Sequence, residues 1–455
     1  MSKPIISVLN FGAQPGSAEV QTAAFQAALD QAWTMGGAVV EVPAGKYIIG
    51  GLRLRSHTTL HLLSGAELYG VRDPEQYCIL GNDTLEPIPE EWKSDKLWEP
   101  FRKDVVRCIE FLTKPAGRWH NAIIRALNAE DIAIIGEPGS VIDGQDCFDE
   151  MGEEYYRGPH GIDMHFCRSV TFRGYTIRHT GNWAHNLFDT TDVLMENVTV
   201  LGGHDGFHIR GCNNVTVRDS GFYTGDDGIA GFANVNTLIS NCICNSACSA
   251  LRFGATNALI RDCKFIGPAK YPFRGSLNKD EKRTGVLEDR PHRHNMLSMF
   301  TYLADFTKPI TEQPGNIVIT NCTAENADRF LHYNFSGNER WQCGRPLESL
   351  KMENIQATGI GMPLTAYGSP DVPLTLTMRN LDISFREELE ETAFMHAANY
   401  ERILMENVTV NKKADAPLIK SWTKTGDIDL RNVTSDIPEA EQICYTEEEF
   451  VCKSI

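Results

Sequence analysis

The sequence predicts a right-handed parallel β-helix with an N-terminal capping helix, and three observations carry that expectation. The first is a repeat. Residues 194–200 (Leu-Met-Glu-Asn-Val-Thr-Val) recur as 215–222 (Val-Thr-Val-Arg-Asp-Ser-Gly-Phe) and as 238–244 (Leu-Ile-Ser-Asn-Cys-Ile-Cys), which spaces Asn197, Asp219 and Asn241 at 22 residues. The second is a continuing row of polar or glycine corners at Gly136, Gly174, Asn197, Asp219, Asn241, Asp262, Asn321, Asn354, Asn380, Asn407 and Asn432, most of them 21 to 27 residues apart. Short β-prone runs between turn residues at such a period describe a solenoid of stacked coils. The third is an alanine-rich stretch over 20–35, with Ala23, Ala24, Ala27, Ala28, Leu29 and Ala32 at helical spacing and Gly36-Gly37 behind it. A helix stopped by glycine and placed before the first coil is the expected lid on an otherwise open core.

A solenoid grows by adding coils, so 455 residues need no second core, and we expect a single β-helix domain over 1–455. Residues 1–37 supply a first short strand and the cap, with Trp33 expected in the core. Strand-like runs follow at Ala38–Val42, Tyr47–Ile49, Leu52–Leu54 and Thr58–Leu63. Residues 81–120, with Pro87, Pro89, Trp92, Trp98 and Trp119, break the rhythm, as does a second insertion at 267–315. Insertions into a solenoid tend to gather on its functional face. The segment 439–455 is an acidic tail expected to cover the last coil. A leucine-rich solenoid is the competing architecture, but the helical half of that repeat is missing.

The formal net charge is −17, which argues against nucleic acid or an anionic membrane surface as partner. The beginning of the sequence carries no leader-like apolar stretch, no run of about 18 apolar residues occurs, and a cytoplasmic protein is expected. Self-association is left open. Thirteen cysteines is an odd number, and Cys242, Cys263 and Cys322 each follow a corner Asn or Asp, which reads as small apolar filler in a reduced interior. Zinc at Cys242, Cys244 and Cys248 is the rival, but no second ligand cluster accompanies them. Neither metal nor cofactor is expected.

Chemistry concentrates at 203–210 and 224–230. Asp205, Asp226 and Asp227 fall within 23 residues, and Asp205 and Asp227 each stand eight residues past a corner, at Asn197 and Asp219. In a parallel solenoid such positions stack at about 4.8 Å. Crowded carboxylates repel and raise the pKa of at least one member, which suits acid and base work. A lone Asp-Gly is usually a solvated turn. Three in register are harder to explain that way.

At these residues the chain resembles the polygalacturonases, family 28 of the glycoside hydrolases, on the pectin-lyase-like β-helix. The resemblance runs from Phe11-Gly-Ala through Gly36-Gly37, 42–45 (Val-Pro-Ala-Gly) and 141–145 (Val-Ile-Asp-Gly-Gln) to about Gly254, and includes Asn182-Trp183. It implies an inverting hydrolysis in which Asp226 protonates the leaving oxygen while Asp205 and Asp227 hold and activate water. Two family motifs depart. Where Gly-His-Gly is expected the chain has Ser246 to Gly254, with Cys248 or Ser249 replacing the histidine and Arg252 nearby, and the Arg-Ile-Lys that grips a uronate is missing. The rival functions are a β-helix lyase, epimerase or transglycosylase with Arg252 as base, and a solenoid that binds sugar without turning it over.

Substrate contacts are expected from Asn182, which shares the Asp205 column one coil earlier, from Trp183 by ring stacking, and from His204 beside Asp205. Arg252 and the basic insertion around Arg274, Lys282, Arg283, Arg290 and Arg293 are expected to take over the grip on an acidic group. Between 267 and 296 there are seven Lys or Arg against four Asp or Glu, a local reversal of the chain's charge. Interrupted by two insertions, the groove is expected to accept short, imported oligosaccharides from their ends.

Overall fold

The computed structural model describes residues 3–77, 118–290, 292–304, 312–335, 345–386, 393–411, 416–438 and 441–446. By contact the chain divides into two compact units, Met1–Gly225 with Phe273–Pro291, and Asp226–Pro272 with His292–Ile455. Both are built of parallel strands, and the fold is the right-handed parallel β-helix.

In the first unit each coil contributes a strand to each of three parallel columns. One column runs Ala122–Leu127, His160–His165, His185–Phe188 and Phe207–Arg210. The next runs Thr58–Leu62, Glu130–Gly136, Arg168–Arg173, Thr191–Glu196 and Asn213–Arg218. The last runs Ala66–Gly70, Val141–Asp143, Thr176–Arg178, Thr199–Gly202 and Gly221–Thr224. Thr191 pairs with Asn213 and Val200 with Phe222, so the 22-residue repeat is one coil of the stack.

Alternation along the strands fills the interior. Val170, Phe172, Val193, Met195, Val215 and Val217 are buried beneath the second column, and Ile142, Ile177, Val200 and Phe222 beneath the third. Each such side chain contributes about 1.5–3 kcal/mol relative to exposure. The first column differs, because its strands are buried on both faces: Arg125, Asp163, Asn186, His208 and Arg210 point away from the apolar core yet lose their solvent.

The corners explain the period physically. Asn197, Asp219, Asn241, Asp262, Asn321, Asn354, Asn380, Asn407 and Asn432 all adopt left-handed backbone with φ between 51° and 57°. That conformation costs most L residues about 1–2 kcal/mol but is tolerated by Asn and Asp. In the second unit the corner amides also bond to one another: Asn354 donates to Asn321 at 3.1 Å, Asn380 to Asn354 at 2.9 Å, Asn407 to Asn380 at 3.1 Å and Asn432 to Asn407 at 2.8 Å. Gly174 shares the left-handed corner conformation, whereas Gly136 does not.

The cap helix spans Thr22–Thr34, buries Phe25, Ala28, Leu29 and Ala32, and packs against the strands Ala38–Val42, Leu52–Arg53 and Thr58–Leu62. Gly36 and Gly37 have φ of 78° and 121° and return their N–H groups to Trp33 and Ala32, which ends the helix as expected. Trp33 corrects its expectation: it is half-buried, with the Arg55 guanidinium 5.1 Å above its ring.

Most of the first insertion, 81–117, lies outside the described residues, including Trp92 and Trp98. The second insertion is shorter than 267–315. Met296–Thr301 is a strand in register with Ser249–Arg252, so the departure from the coil ends before Met296. Within it Lys279–Thr284 forms a short helix closed by a capping box between Asn278 and Glu281. In the tail, Ile443–Tyr445 adds one more strand, against Ile419–Ser421. Among the described residues no cysteine forms a disulfide. Cys242, Cys263 and Cys322 each donate to the carbonyl two residues back, at 3.1 to 3.3 Å. Among the described residues no helix is long and apolar enough to cross a membrane.

Candidate functional site

Asp205 lies in the first unit and Asp226 and Asp227 in the second, so the two groups are taken in turn. Asp205 sits in the turn that enters Phe207–Arg210, where its carbonyl accepts the N–H of Ala184 at 2.9 Å. Its Oδ2 accepts the Nδ1–H of His208 at 2.7 Å, and both residues are buried. Residues three apart meet because the strand turns His208 outward, back over the turn it has just left. His208 is itself fixed by Trp183, on which it lies flat at 3.8 Å and 3°. Trp183 in turn meets the edge of Trp119 at 5.0 Å.

One face of Trp183 is taken by His208, the residue that orients Asp205. His204 is buried and faces the other way: its Nδ1 accepts from the Arg157 guanidinium at 3.1 Å, and its ring lies nearly parallel to Tyr156. Burial, with Arg274 and Arg157 close by, holds its pKa well below the usual histidine value. Asn182, also buried, uses Oδ1 to accept from Arg157 at 3.3 Å and from the Trp183 N–H at 3.0 Å.

The first column carries a second polar group that sequence reasoning did not single out. Asp163 accepts from His165 Nε2 at 3.0 Å and from Asn186 Nδ2 at 2.6 Å, with His120 Nδ1 3.6 Å and Arg125 Nε 4.0 Å away. Burial alone would raise this carboxyl, but His165 and His120 outweigh it and hold it well below its ordinary value. His120, fully sequestered, is pushed down to about 4 and is neutral at physiological pH. A signal was present, since Asp163, Asn186 and His208 share one strand register at spacings of 23 and 22 residues. His185, one residue from that column, faces the core and donates from Nδ1 to the Gly206 carbonyl at 3.0 Å while Nε2 accepts from Tyr175 at 2.9 Å.

In the second unit Asp227 is buried in the turn before Ile229–Ser240 and Asp226 is half-buried beside it. Asp227 Oδ1 accepts the Ser249 N–H at 3.0 Å, and Oδ2 lies 3.5 Å from the Arg252 guanidinium. Arg252 therefore reaches the aspartate, as its position predicts. Asp226 is anchored through its carbonyl, which accepts from the Ser246 hydroxyl at 2.7 Å. Gly228 follows because a Cβ there would stand 2.7 Å from the Ala250 carbonyl. Beside the aspartates stands Cys248, whose thiol pKa is raised far above normal by burial and then by Asp227 and Asp226. It is a protonated donor at neutral pH.

Two described groups have metal-ligand spacing: His120, Asp163 and His165, and Asp226, Asp227 and Cys248. In the first, Arg125 already stands beside the carboxylate, and in the second, Arg252 does while the thiol keeps its proton.

The predicted basic residues separate. Arg283 and Arg290 are exposed and paired within their own loop to Asp280 and Glu288, at 3.4 and 3.0 Å. Arg293 is buried in the second unit. Arg274 and Lys282 belong to the first unit, and both lie close to His204.

A right-handed parallel β-helix with buried aspartates at the turn entering a strand is the class this fold and these sites define. Residues 160–271 match the family model described as "Right handed beta helix region". A probable polygalacturonase of Vitis vinifera is 26% identical over 236 residues, 49% of this chain and 43% of that protein. The chain spans about half the length of the curated relatives it matches. Among solved structures, the family 28 exopolygalacturonase of Yersinia enterocolitica is 14% identical with a TM-score of 0.54, covering 96% of this chain and 79% of that one. The surface adhesin PfbA of Streptococcus pneumoniae is also 14% identical, with a TM-score of 0.53 over 93% of each chain. The chain is thus polygalacturonase-like in sequence and fold, and the fold by itself does not select an activity.

Proposed function

We propose that the protein is an inverting glycoside hydrolase that acts from the end of short, plant-derived oligosaccharides, without metal or cofactor. Asp226 is the general acid, and Asp205 and Asp227 hold and activate the water. The observation that carries this reading is that Asp205 and Asp227 are both withdrawn from solvent at turns eight residues past left-handed corners, while Asp226 keeps partial access. Sequence likeness to a polygalacturonase points to the same chemistry. In an inverting mechanism one carboxyl protonates the departing oxygen and a carboxylate activates water on the opposite face of the ring.

The division of labour follows from the hydrogen bonds. Asp205, held by His208, and Asp227, held by Ser249 and Arg252, are fixed acceptors suited to orienting water. Asp226 is anchored through its carbonyl by the Ser246 hydroxyl, and its half-buried side chain keeps the solvent access that proton delivery to a leaving group needs. Asp226→Asn should lower kcat by about 10²–10⁴ while leaving sugar binding intact. Proton NMR of the first-formed sugar should show the inverted anomer. A retained anomer, or near-parental turnover by Asp226→Asn, would overturn the assignment. The Arg252–Asp227 pair also suits a lyase, whose unsaturated product would absorb in the ultraviolet.

A further inference from the structure

The geometry points to an anion-binding site in the first unit, built from Arg157, His204, Arg274 and Lys282, that takes the carboxylate of an acidic sugar beside Asp205. It deepens the glycosidase reading, on which the identification of the anion as part of a sugar rests. In composition the grip differs from the missing Arg-Ile-Lys.

Four observations assemble it. A guanidinium only donates, so the 3.1 Å contact from Arg157 makes His204 Nδ1 the acceptor and leaves the proton of the neutral ring on Nε2. That Nε2–H is buried and has no hydrogen-bond partner among the described residues, in a side chain whose residue is only 2% exposed. A donor sequestered in this way costs about 1–3 kcal/mol unless something accepts from it. Nearby, Nε of Arg274 is a second buried donor without a hydrogen-bond partner among the described residues. Arg274 reaches this place because residue 203 is glycine: a Cβ there would stand 3.0 Å from Arg274 Cδ and 3.6 Å from its Nε. The side chain thus lies across the turn that leads through His204 into Asp205.

The third cation arrives on the insertion. The capping box of Lys279–Thr284 and the buried Glu281 fix that short helix, and it sets Lys282 Nζ 3.8 Å from the centre of the Tyr156 ring, the same ring that stacks on His204. Among the described residues no carboxylate lies within ion-pair distance of Lys282. The acids that balance the two arginines stand toward solvent: Glu153, Glu154 and Asp146 have side chains 31, 51 and 41% exposed, against 11 and 12% for Arg157 and Arg274. Positive ends and orphaned donors therefore turn inward while the acids turn out.

The fourth observation is mutual strain among the cations. Burial and then Arg274 and Arg157 lower the pKa of His204, and burial, opposed by Glu154, lowers that of Lys282 with the same two arginines contributing. An anion placed among them accepts from His204 Nε2 and Arg274 Nε and relieves both. An organic carboxylate has the acceptors and the charge for this.

The test is binding, measured by calorimetry on the full chain carrying Asp226→Asn. Disaccharides ending in galacturonate, glucuronate or mannuronate are compared with their methyl esters. At least one acid should bind about tenfold or more tightly than its ester, the scale of one charge-assisted hydrogen bond. Lys282→Met and Arg274→Gln should each remove most of that preference with little effect on ester binding, and Lys282→Arg should retain it. Lys282 stands on a surface helix, so its variants should melt as the parent does. Equal binding of acid and ester throughout, or equal losses on both in the variants, would overturn the site. Inorganic phosphate is the second arm: if phosphate binds and the sugar acid does not displace it, the ligand is a free oxyanion and the sugar assignment is wrong. Selective binding of an acid by a protein that cleaves none would sink the hydrolase reading alone.

Discussion

Replacing His208 by phenylalanine isolates one hydrogen bond. The ring keeps its place on Trp183, 3.8 Å away and parallel, but the Nδ1–H that reaches Asp205 at 2.7 Å is gone. Asp205 is 3% exposed, so water is poorly placed to substitute. A hydrogen bond to a charged group contributes about 1.5–3 kcal/mol. If the bond serves to hold the carboxylate against the reacting water, that amount appears in the barrier, and kcat falls about 10- to 150-fold. His208 does not touch the reacting atoms, so KM should change little. His208→Asn provides the complementary control. Its Nδ2 stands close to where imidazole Nδ1 does and restores the bond, while the stack on Trp183 is lost at a cost of about 0.5–1.5 kcal/mol. The Phe variant should therefore be stable and slow, and the Asn variant faster and less stable. Steady-state kinetics with urea unfolding on the same samples decides it. A Phe variant with parental kcat, or an Asn variant as slow as Phe, refutes the argument that His208 acts through Asp205.

Two further outcomes follow from the scaffold. Asn380 has φ of 52°, donates to Asn354 and accepts from Asn407. Asn380→Ala loses both bonds and must hold an alanine in left-handed backbone, whereas Asn380→Gly loses the bonds alone. Urea melts should therefore find Ala the less stable by about 1 kcal/mol, and equal stabilities would contradict the corner argument. Stability should also fall in mild acid, because fully buried His185 is pushed down to about 4 by the loss of solvent while an unfolded histidine titrates at 6.5. Between those values the unfolded chain holds more protons than the native one, so stability is complete above pH 6.5 and declines toward pH 4, by about 3 kcal/mol from this residue at 1.36 kcal/mol per pKa unit. His185→Phe should flatten that slope, and an unchanged slope would show that other groups carry it.

Much of the fold was legible because its signal is periodic and local. A left-handed corner restricts the residue to Gly, Asn or Asp, so the corners from Asn197 to Asn432 stand out in a single sequence, and the strands between them inherit their phase. The cap helix announced itself by alanine spacing and by glycines that only a helix end needs. Boundaries failed where a coil is long. Met296–Thr301 was counted into the insertion because Asp262 and Asn321 are 59 residues apart, and nothing local says where within that gap the chain resumes its register.

The site was legible only in its aspartates, and the reason is geometric. Asp205, Asp226 and Asp227 are marked by neighbouring glycines and by a fixed distance from a corner, which are properties of the chain. His208, Arg157 and Lys282 act by where the fold delivers them. His208 is an ordinary strand residue until its outward face meets Asp205. Arg157 is 47 residues from the His204 it contacts, and Lys282 comes onto the Tyr156 ring from an insertion whose charge is visible in the sequence but whose direction is not. By charge alone Arg274, Lys282, Arg283, Arg290 and Arg293 form one basic insertion. Pairing sorts them. Arg283 and Arg290 pair with acids two or three residues away, while Arg274 and Lys282 lie close to a histidine whose pKa is held low and whose Nε2, like Arg274 Nε, has no hydrogen-bond partner among the described residues. Which cations face a ligand is decided by which way their donors turn relative to the acids that balance them, and that is fixed only when residues 146 to 282 come together.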